Sequence, residues 1–171
     1  YWSVVNVTSN KDAGGIAGYT AGGSIITNCY ASGNITTTSK NECYLGGICG
    51  SGFSNTNGAT LTNCYSIGDV TGTSGTASYL GGLSPDKTAA HYVNCFYLDG
   101  TVSKESPKYG VTGLGTAKTV AEMKAAIEAN KNPFNPQMLA DLAVRAQEIA
   151  DKAAAKAVDV LIDAIGDMTL S

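Results

Sequence analysis

Five cysteines are the residues of this chain whose type could support metal or redox chemistry. A structural zinc site needs ligand pairs at spacings such as C-x2-C, and no pair here has that spacing. Cys29, Cys64 and Cys95 each follow an asparagine and precede an aromatic residue, which predicts a buried column of small apolar groups. Cys43 and Cys49 flank a Gly-Gly pair closely enough to form a disulfide in an exported protein. The odd total leaves at least one thiol without a partner inside the chain.

Acid–base catalysis finds little support in the sequence. His91 is the single histidine, so no histidine dyad or HExxH site can be assembled, and we predict a surface or strand-edge position for it. Cleavage of a glycan needs clustered carboxylates with a basic residue nearby, but the only arginine, Arg145, lies far along the chain. We therefore predict no enzyme activity and no catalytic, cofactor or metal residue. The acidic residues of the first hundred positions are scattered: Asp12, Glu42, Asp69, Asp86 and Asp99.

Aromatic residues could instead bind sugar rings or a partner chain. Tyr30, Tyr65 and Phe96 occupy one equivalent position in three similar segments, and Tyr44 and Tyr79 occupy another in two. A set that faces solvent would form an apolar strip for a ligand, whereas a set that faces inward would be core. Aromatic residues that recur at equivalent repeat positions usually stack inside the core, and we favour that interpretation here. The sequence therefore assigns no residues to the binding of a partner.

These residues belong to two phrases that recur along the chain. The first phrase reads ITNCYASGNI at 26–35, LTNCYSIGDV at 61–70 and YVNCFYLDGTV at 92–102; the second reads AGGIAG at 13–18, LGGICG at 45–50 and LGGLSP at 80–85. A catalytic motif needs to occur once. Two phrases that stay in step through three cycles indicate a repeat architecture.

Residue type and period predict short strands that stack. After the first asparagine, Cys29, Ala31, Gly33 and Ile35 form a small-to-apolar set at period two. One unit cannot bury these positions and pair its strand edges alone, so successive units should stack as coils about 4.8 Å apart. We predict a mainly β fold, a right-handed parallel β-solenoid (β-helix), with a β-sandwich as the alternative. Left-handed corners are predicted at Asn28, Asn63 and Asn94, and apolar plugs of tight bends at Ile16, Ile48 and Leu83.

Composition changes once, near residue 118. All nine tyrosines, all five cysteines and 20 of the 21 glycines come before residue 119, and the remainder is rich in residues that favour helix. We therefore divide the chain into a repeat region at 1–104, a linker at 105–118, a capping helix at 119–132 and a long helix at 137–171.

The helical end has start and stop signals. Thr119-Val-Ala-Glu122 has the pattern of a capping box, which predicts a helix from 120 that ends before the prolines of KNPFNP and covers the open end of the last coil. The second helix should stop at Gly166. Its predicted apolar stripe comprises Leu139, Leu142, Ala146, Ile149, Ala153, Ala157, Val160 and Ala164.

Charge and hydropathy exclude two classes of partner. The net charge is −3 with 11 basic and 14 acidic residues, so neither part has the basic excess that nucleic-acid binding requires. The absence of an apolar run of 18 residues predicts no membrane span. The chain opens without a methionine and in the middle of the pattern, which we interpret as an excerpt from a longer protein.

The phrases GGIAG and GGICG, together with the Asn-Cys series, resemble the GLUG motif over residues 13–102. That motif is found in large surface and secreted proteins of bacteria, including regions of some IgA-specific metallopeptidases and many adhesin-like proteins. Here Ser84 and Pro85 replace the expected ending of the third copy, which predicts that the repeat stops there. The phrase VDVLIDAIGDMTLS resembles the opening of small helical modules in bacterial surface proteins, so the long helix is expected to begin a truncated module.

The resemblance implies a non-catalytic segment of a bacterial cell-surface or secreted protein, located outside the cell. It would act as a rigid stalk or adhesion module that displays loops such as SGFSNTNGAT and TGTSGTAS. Its expected partners are a glycan or a host surface protein, and neighbouring modules of the same chain. One alternative is an accessory domain of an exported peptidase or polysaccharide-active enzyme. Another is a repeat that itself cleaves glycans.

Overall fold

The described part of the protein is strand-rich, with parallel sheets and two helices. The computed structural model describes residues 1–21, 23–51, 60–72, 78–85, 91–103 and 115–170. Most of the two predicted display loops and Asp86 lie outside the described residues. In chain order the strands are β1 (Trp2–Ser3), β2 (Val7–Ser9), β3 (Ala13–Gly14), β4 (Ala17–Tyr19), β5 (Ile25–Thr27), β6 (Tyr30–Ala31), β7 (Ile35–Thr37), β8 (Cys43–Gly46), β9 (Cys49–Ser51), β10 (Thr60–Thr62), β11 (Tyr65–Ser66), β12 (Val70–Thr71), β13 (Ser78–Gly81), β14 (His91–Val93), β15 (Phe96–Leu98) and β16 (Thr116–Lys118). The helices are α1 (Val120–Ala129) and α2 (Asn135–Leu170).

Strands from successive copies of the repeat pair with one another, and every named pairing of the described strands is parallel. A five-stranded sheet has the order β1-β6-β11-β15-β16. Three-stranded sheets have the orders β14-β10-β5, β12-β7-β2 and β13-β8-β3, and β4 pairs with β9. The registers place Tyr30 beside Tyr65, and Tyr65 beside Phe96. The predicted parallel β fold is confirmed at this level, and the strands that the structure describes show none of the antiparallel pairing of a β-sandwich.

Three asparagines form the predicted corners. Asn28, Asn63 and Asn94 have φ angles of 54°, 53° and 52°, in the left-handed region that asparagine tolerates better than most residues. The side-chain amide of Asn63 donates to Asn28 Oδ1 at 3.1 Å, and that of Asn94 donates to Asn63 Oδ1 at 2.7 Å. The side chains therefore continue the register of the backbone from one coil to the next.

Side chains that point into the coils form the apolar core. Ile48 and Leu83, the predicted plugs, are fully buried, and Ile16 packs against the same cluster. On the other side Ile35, Leu45, Val70 and Leu80 form a second cluster. Burial of each Ile or Leu stabilises the fold by about 1.5–3 kcal/mol. The alternation read from the sequence is confirmed for this inward set.

The repeat continues beyond Pro85, so the predicted end there is wrong. Three further strands, β14, β15 and β16, join the parallel sheets after this position, and Val102 bridges to Val70. Pro85 lies in a bend outside the named strands, where its missing N–H removes no ladder hydrogen bond. Strand β16 occupies the end of the segment predicted as a linker and pairs with β15.

Helix α1 begins and ends as predicted. Thr119 Oγ1 accepts from the Glu122 N–H at 3.3 Å, and Glu122 Oε2 accepts from the Thr119 N–H at 2.9 Å. The hydrogen bond from the Thr119 N–H to the Glu122 carboxylate lowers the pKa of Glu122. Helix α2 begins at Asn135, and Pro136 fits its first turn because the amide that proline lacks has no partner there. The predicted stop at Gly166 is wrong, since α2 continues to Leu170.

The helices lie on one side of the five-stranded sheet, which we call the helix-facing side. Helix α1 contacts β15 and β16, the last two strands of this sheet, and buries its apolar residues on the helix-facing side. Its expected position over the open end of the last coil stays a prediction. Beyond Ala146, α2 is mostly exposed, so the predicted stripe packs only in its first part. The buried cluster comprises Tyr30, Tyr65, Ile67 and Leu98 from the sheet and Met123, Ile127, Met138 and Leu142 from the helices.

Candidate functional site

Asp69 occupies a repeat position at which the earlier coils carry asparagine. Asn6 Oδ1 accepts from the Asn34 backbone N–H at 2.8 Å, and Asn34 Oδ1 accepts from the Asp69 N–H at 2.9 Å. The Asp69 carboxylate instead forms an ion pair with the Arg145 guanidinium. Arg145 is 9% exposed, and its Nη1 also donates to Glu148 at 3.1 Å. One Asn-to-Asp change along the column therefore provides the ion pair that joins the sheet to α2.

Replacement of Asp69 by asparagine is expected to destabilise the chain by about 2 kcal/mol. Breaking a fully buried pair costs about 3–5 kcal/mol, but the Asp69 side chain is 29% exposed and Glu148 still contacts Arg145. Urea unfolding followed by circular dichroism measures the change. Asp163→Asn on the exposed part of α2 removes the same charge and should stay within about 0.5 kcal/mol of the parent. Equal losses in the two variants would contradict a role for the ion pair.

A half-open crevice of about 160 Å³ lies beside this ion pair, between the sheet and α2. Its apolar walls are Val4, Ile67 and Val144. Its polar lining is Ser32, Asp141, Arg145 and Glu148. The charged groups were not found from the sequence as a set, because they come from strands and a helix that are far apart in the chain. The sequence did contain one signal for this contact: Met138, Leu142 and Arg145 are spaced so that they lie on one face of a helix, which indicates that Arg145 faces the sheet.

The tyrosines of the helix-facing side are buried. Tyr65 Oη accepts from Asn130 Nδ2 at 2.9 Å and from Asn94 Nδ2 at 3.2 Å. Burial raises the pKa of Tyr65, and burial followed by the Asp141 carboxylate raises that of Tyr30. The predicted column of Tyr30, Tyr65 and Phe96 is therefore core beneath the helices, as the sequence favoured.

The second aromatic pair is only partly buried. The rings of Tyr44 and Tyr79 stack with centroids 4.6 Å apart and 3° between their planes. Glu42 Oε1 accepts from the Tyr44 hydroxyl at 3.1 Å, and Asp12 Oδ1 accepts from the Tyr44 N–H at 3.0 Å. Burial and the Glu42 contact raise the pKa of Tyr44 to about 12. Because the two rings cover each other, they do not form the flat strip that a sugar ring would need.

The other predicted site residues remain apart. Asp12 and Glu42 meet at Tyr44, whereas Asp69 binds Arg145, and Asp99 lies in an exposed turn after β15. His91 begins β14, which lies at the edge of its sheet as described. In the described part of the chain, no three His, Cys, Asp or Glu side chains form a cluster that could hold a metal ion.

The three equivalent cysteines form the predicted buried column, and all five cysteines are buried thiols that form no disulfide. The disulfide considered for Cys43 and Cys49 is not formed. Cys64 Sγ and Cys95 Sγ hydrogen-bond to carbonyl oxygens of the preceding strands at 3.5 and 3.2 Å. Hydrogen bonding with the Cys64 thiol, together with burial, raises the pKa of Cys29, whereas Cys64 lowers the pKa of Cys95.

Native protein is expected to react slowly with a thiol reagent such as 5,5′-dithiobis(2-nitrobenzoate). Attack requires an accessible thiolate, and all five cysteines are buried. Absorbance after unfolding in urea should report five thiols, which serves as the control. Among the column residues, mass spectrometry of partly labelled protein should find Cys95 modified before Cys29. Rapid stoichiometric labelling of the native chain would contradict the buried column.

The stacked registers define a parallel β repeat protein. Residues 9–36 match the family model described as the GLUG motif, which confirms the resemblance drawn from the repeated phrases. The motif indicates a repeat module of a surface or secreted protein. Comparisons with curated proteins and with solved structures each found no match. Neither helix, over its described residues, has the length and apolar character needed to cross a membrane.

Proposed function

We propose that the chain is a non-catalytic segment of a bacterial cell-surface or secreted protein. In this proposal its coils form a right-handed parallel β-solenoid that acts as a rigid stalk or adhesion module. The observation that carries the proposal is the register of equivalent residues across successive coils, as in Tyr30, Tyr65 and Phe96. Such stacking spreads main-chain hydrogen bonds along the whole repeat and favours stiffness.

The helices support the same function. They pack against the five-stranded sheet through Met123, Ile127, Met138 and Leu142. Arg145 of α2 also forms an ion pair with Asp69. The remainder of α2 exposes large apolar residues such as Leu161 and Ile165, at 60% and 52%. We propose that this part begins a helical module and packs against neighbouring segments of the same polypeptide, while glycans or host proteins are the partners of the module as a whole.

Protease treatment of intact cells tests the proposed location. An antibody raised against this segment should lose its signal on treated cells, while a cytoplasmic marker persists, because a surface stalk is accessible from outside. If the protein is secreted, the signal should instead be found in the medium. A signal retained inside intact, treated cells and absent from the medium would overturn the proposal.

The absence of catalysis is tested separately. Incubation of the purified chain with a polysaccharide panel should release neither reducing ends nor unsaturated products. Release of either would favour a repeat that cleaves glycans. An accessory domain of an exported enzyme would share the external location, and would be distinguished by a catalytic domain on the same polypeptide.

A further inference from the structure

The buried cysteine column brings thiols of successive coils into register. Each of its three cysteines directly precedes a strand residue that pairs with its counterpart in the next coil. Backbone hydrogen bonds hold Cys64 and Cys95 together from both sides: the Asn63 N–H donates to the Val93 carbonyl at 2.9 Å, and the Phe96 N–H donates to the Cys64 carbonyl at 3.0 Å. Neighbouring strands are about 4.8 Å apart, a separation within the Cα–Cα range of about 4.4–6.8 Å that a disulfide spans.

The sulfur atoms of the column point toward the preceding coil. Cys95 Sγ donates to the Leu61 carbonyl oxygen at 3.2 Å, and Cys64 Sγ donates to the Ile26 carbonyl oxygen at 3.5 Å. Leu61 belongs to the coil of Cys64, so the Cys95 thiol is directed at that coil. Hydrogen bonding between the two thiols lowers the pKa of Cys95, whereas the pKa of Cys29 is raised. Of the two neighbours of Cys64, Cys95 is therefore the one that forms a thiolate more readily.

The other two cysteines provide a comparison within the same fold. Cys43 and Cys49 are also buried, but the strand register places Ser78 opposite Cys43 and Ala17 opposite Cys49. Burial alone therefore does not distinguish the column. What distinguishes it is that the stack places one thiol over another.

We propose that Cys64 and Cys95 form a disulfide between successive coils when the reduced chain folds in the presence of a small disulfide oxidant such as oxidised glutathione. While the coils assemble and the column is still open to solvent, the Cys95 thiolate attacks one sulfur of the oxidant. This step forms a mixed disulfide and releases one glutathione thiolate. The Cys64 thiolate then attacks the Cys95 sulfur and releases the second glutathione. The two protein thiols lose two electrons and two protons, and the oxidant is reduced to two thiols.

The disulfide links the coils on either side of the predicted display loop TGTSGTAS. It restricts the unfolded chain and so stabilises the stack. Once the core closes over it, burial protects it from attack by an external thiolate. The inference goes beyond the proposed function and does not rest on it, because the reaction is tested on the purified chain. An external location would supply the oxidising conditions under which such a bond persists.

Refolding of the fully reduced, urea-denatured 171-residue chain in a glutathione redox buffer tests the proposal. Alkylation in denaturant after refolding should count three thiols instead of five, because one disulfide consumes two. Trypsin places the three column cysteines in separate peptides, which are residues 12–40, 41–87 and 88–104. Mass spectrometry without reduction should find the second peptide joined to the third, and fragmentation should place the bond at Cys64 and Cys95. The same oxidation in urea should give a mixture of links, because the register is then absent.

Cys64→Ala should keep all four remaining thiols reduced after refolding, since Cys29 and Cys95 then have no thiol beside them in the column. Cys49→Ala is the matched control and should still lose two thiols and form the same link. Circular dichroism checks that both variants fold, and the peptide map of the parent chain decides the question even if one of them does not. Five thiols after oxidative refolding of a folded parent chain, or a predominant link between any other pair of cysteines, would rule the inference out.

Discussion

Gly68→Ala is expected to abolish the folded state or to destabilise it by more than about 4 kcal/mol, a loss reserved for severe backbone or core defects. Gly68 lies in the bend between β11 and β12. A Cβ atom there would overlap the carbonyl oxygen of Gly33 in the adjacent coil. At Gly33 itself, a Cβ would overlap the carbonyl oxygen of Val5. Main-chain atoms cannot move away without breaking the ladder, so the stack requires glycine at this corner.

Gly166→Ala provides the matched control for the same chemical change. Gly166 lies within α2, and nothing lies within 4 Å of a Cβ built there. Alanine should therefore stabilise the helix by about 0.5–1 kcal/mol through its higher helix propensity. Urea unfolding of both variants, followed by far-ultraviolet circular dichroism, measures the contrast. A Gly68→Ala protein within about 1 kcal/mol of the parent would show that the coils do not stack as closely as described.

The inward half of the repeat could be predicted because its signals are local. Asparagine at a left-handed corner and alternation at period two depend only on a residue and its near neighbours. The corners are found at Asn28, Asn63 and Asn94, and the alternation is found in the burial of the inward set that begins at Cys29. Pro85 misled the prediction because a proline within a strand differs from one in a bend only through its neighbours in space. Gly166 misled it for a related reason: one helical glycine costs only about 1 kcal/mol relative to alanine, less than the surrounding helix formers provide.

The contacts of the helix-facing side could not be predicted in the same detail. Ile67 alternates with the inward residues of its strand, and an apolar residue on that opposite face indicates that something covers it, but not what. The covering residues Met138 and Leu142 come from a separate helix. Asp69 and Arg145 are 76 residues apart, so their spacing carries no information. The available signals were the change from asparagine to aspartate at one repeat position and the presence of a single arginine.

Tyr65→Ala is expected to destabilise the chain by about 3–5 kcal/mol, as is usual for a buried large aromatic. Tyr65 is fully buried, stacks on Phe96 with ring centroids 5.7 Å apart, and accepts hydrogen bonds from Asn94 and Asn130. Its removal leaves a cavity under α1 and leaves both amides without this acceptor. Tyr65→Phe keeps the ring and removes the hydroxyl, so it should cost about 1–3 kcal/mol.

The single tryptophan reports whether the helices remain docked. Trp2 lies on the sheet, and its ring centroid is 6.5 Å from that of Phe134 near the start of α2. In Tyr65→Ala, the Trp2 emission should shift to the red at lower urea concentration than in the parent, because the helices separate from the sheet. Tyr44→Ala, in the partly exposed pair, is the control and should cost less than about 1.5 kcal/mol, near the upper value for an aromatic pair. If Tyr65→Ala kept its stability and lost only affinity for a glycan, the tyrosine column would be a binding strip and the helices would not cover it.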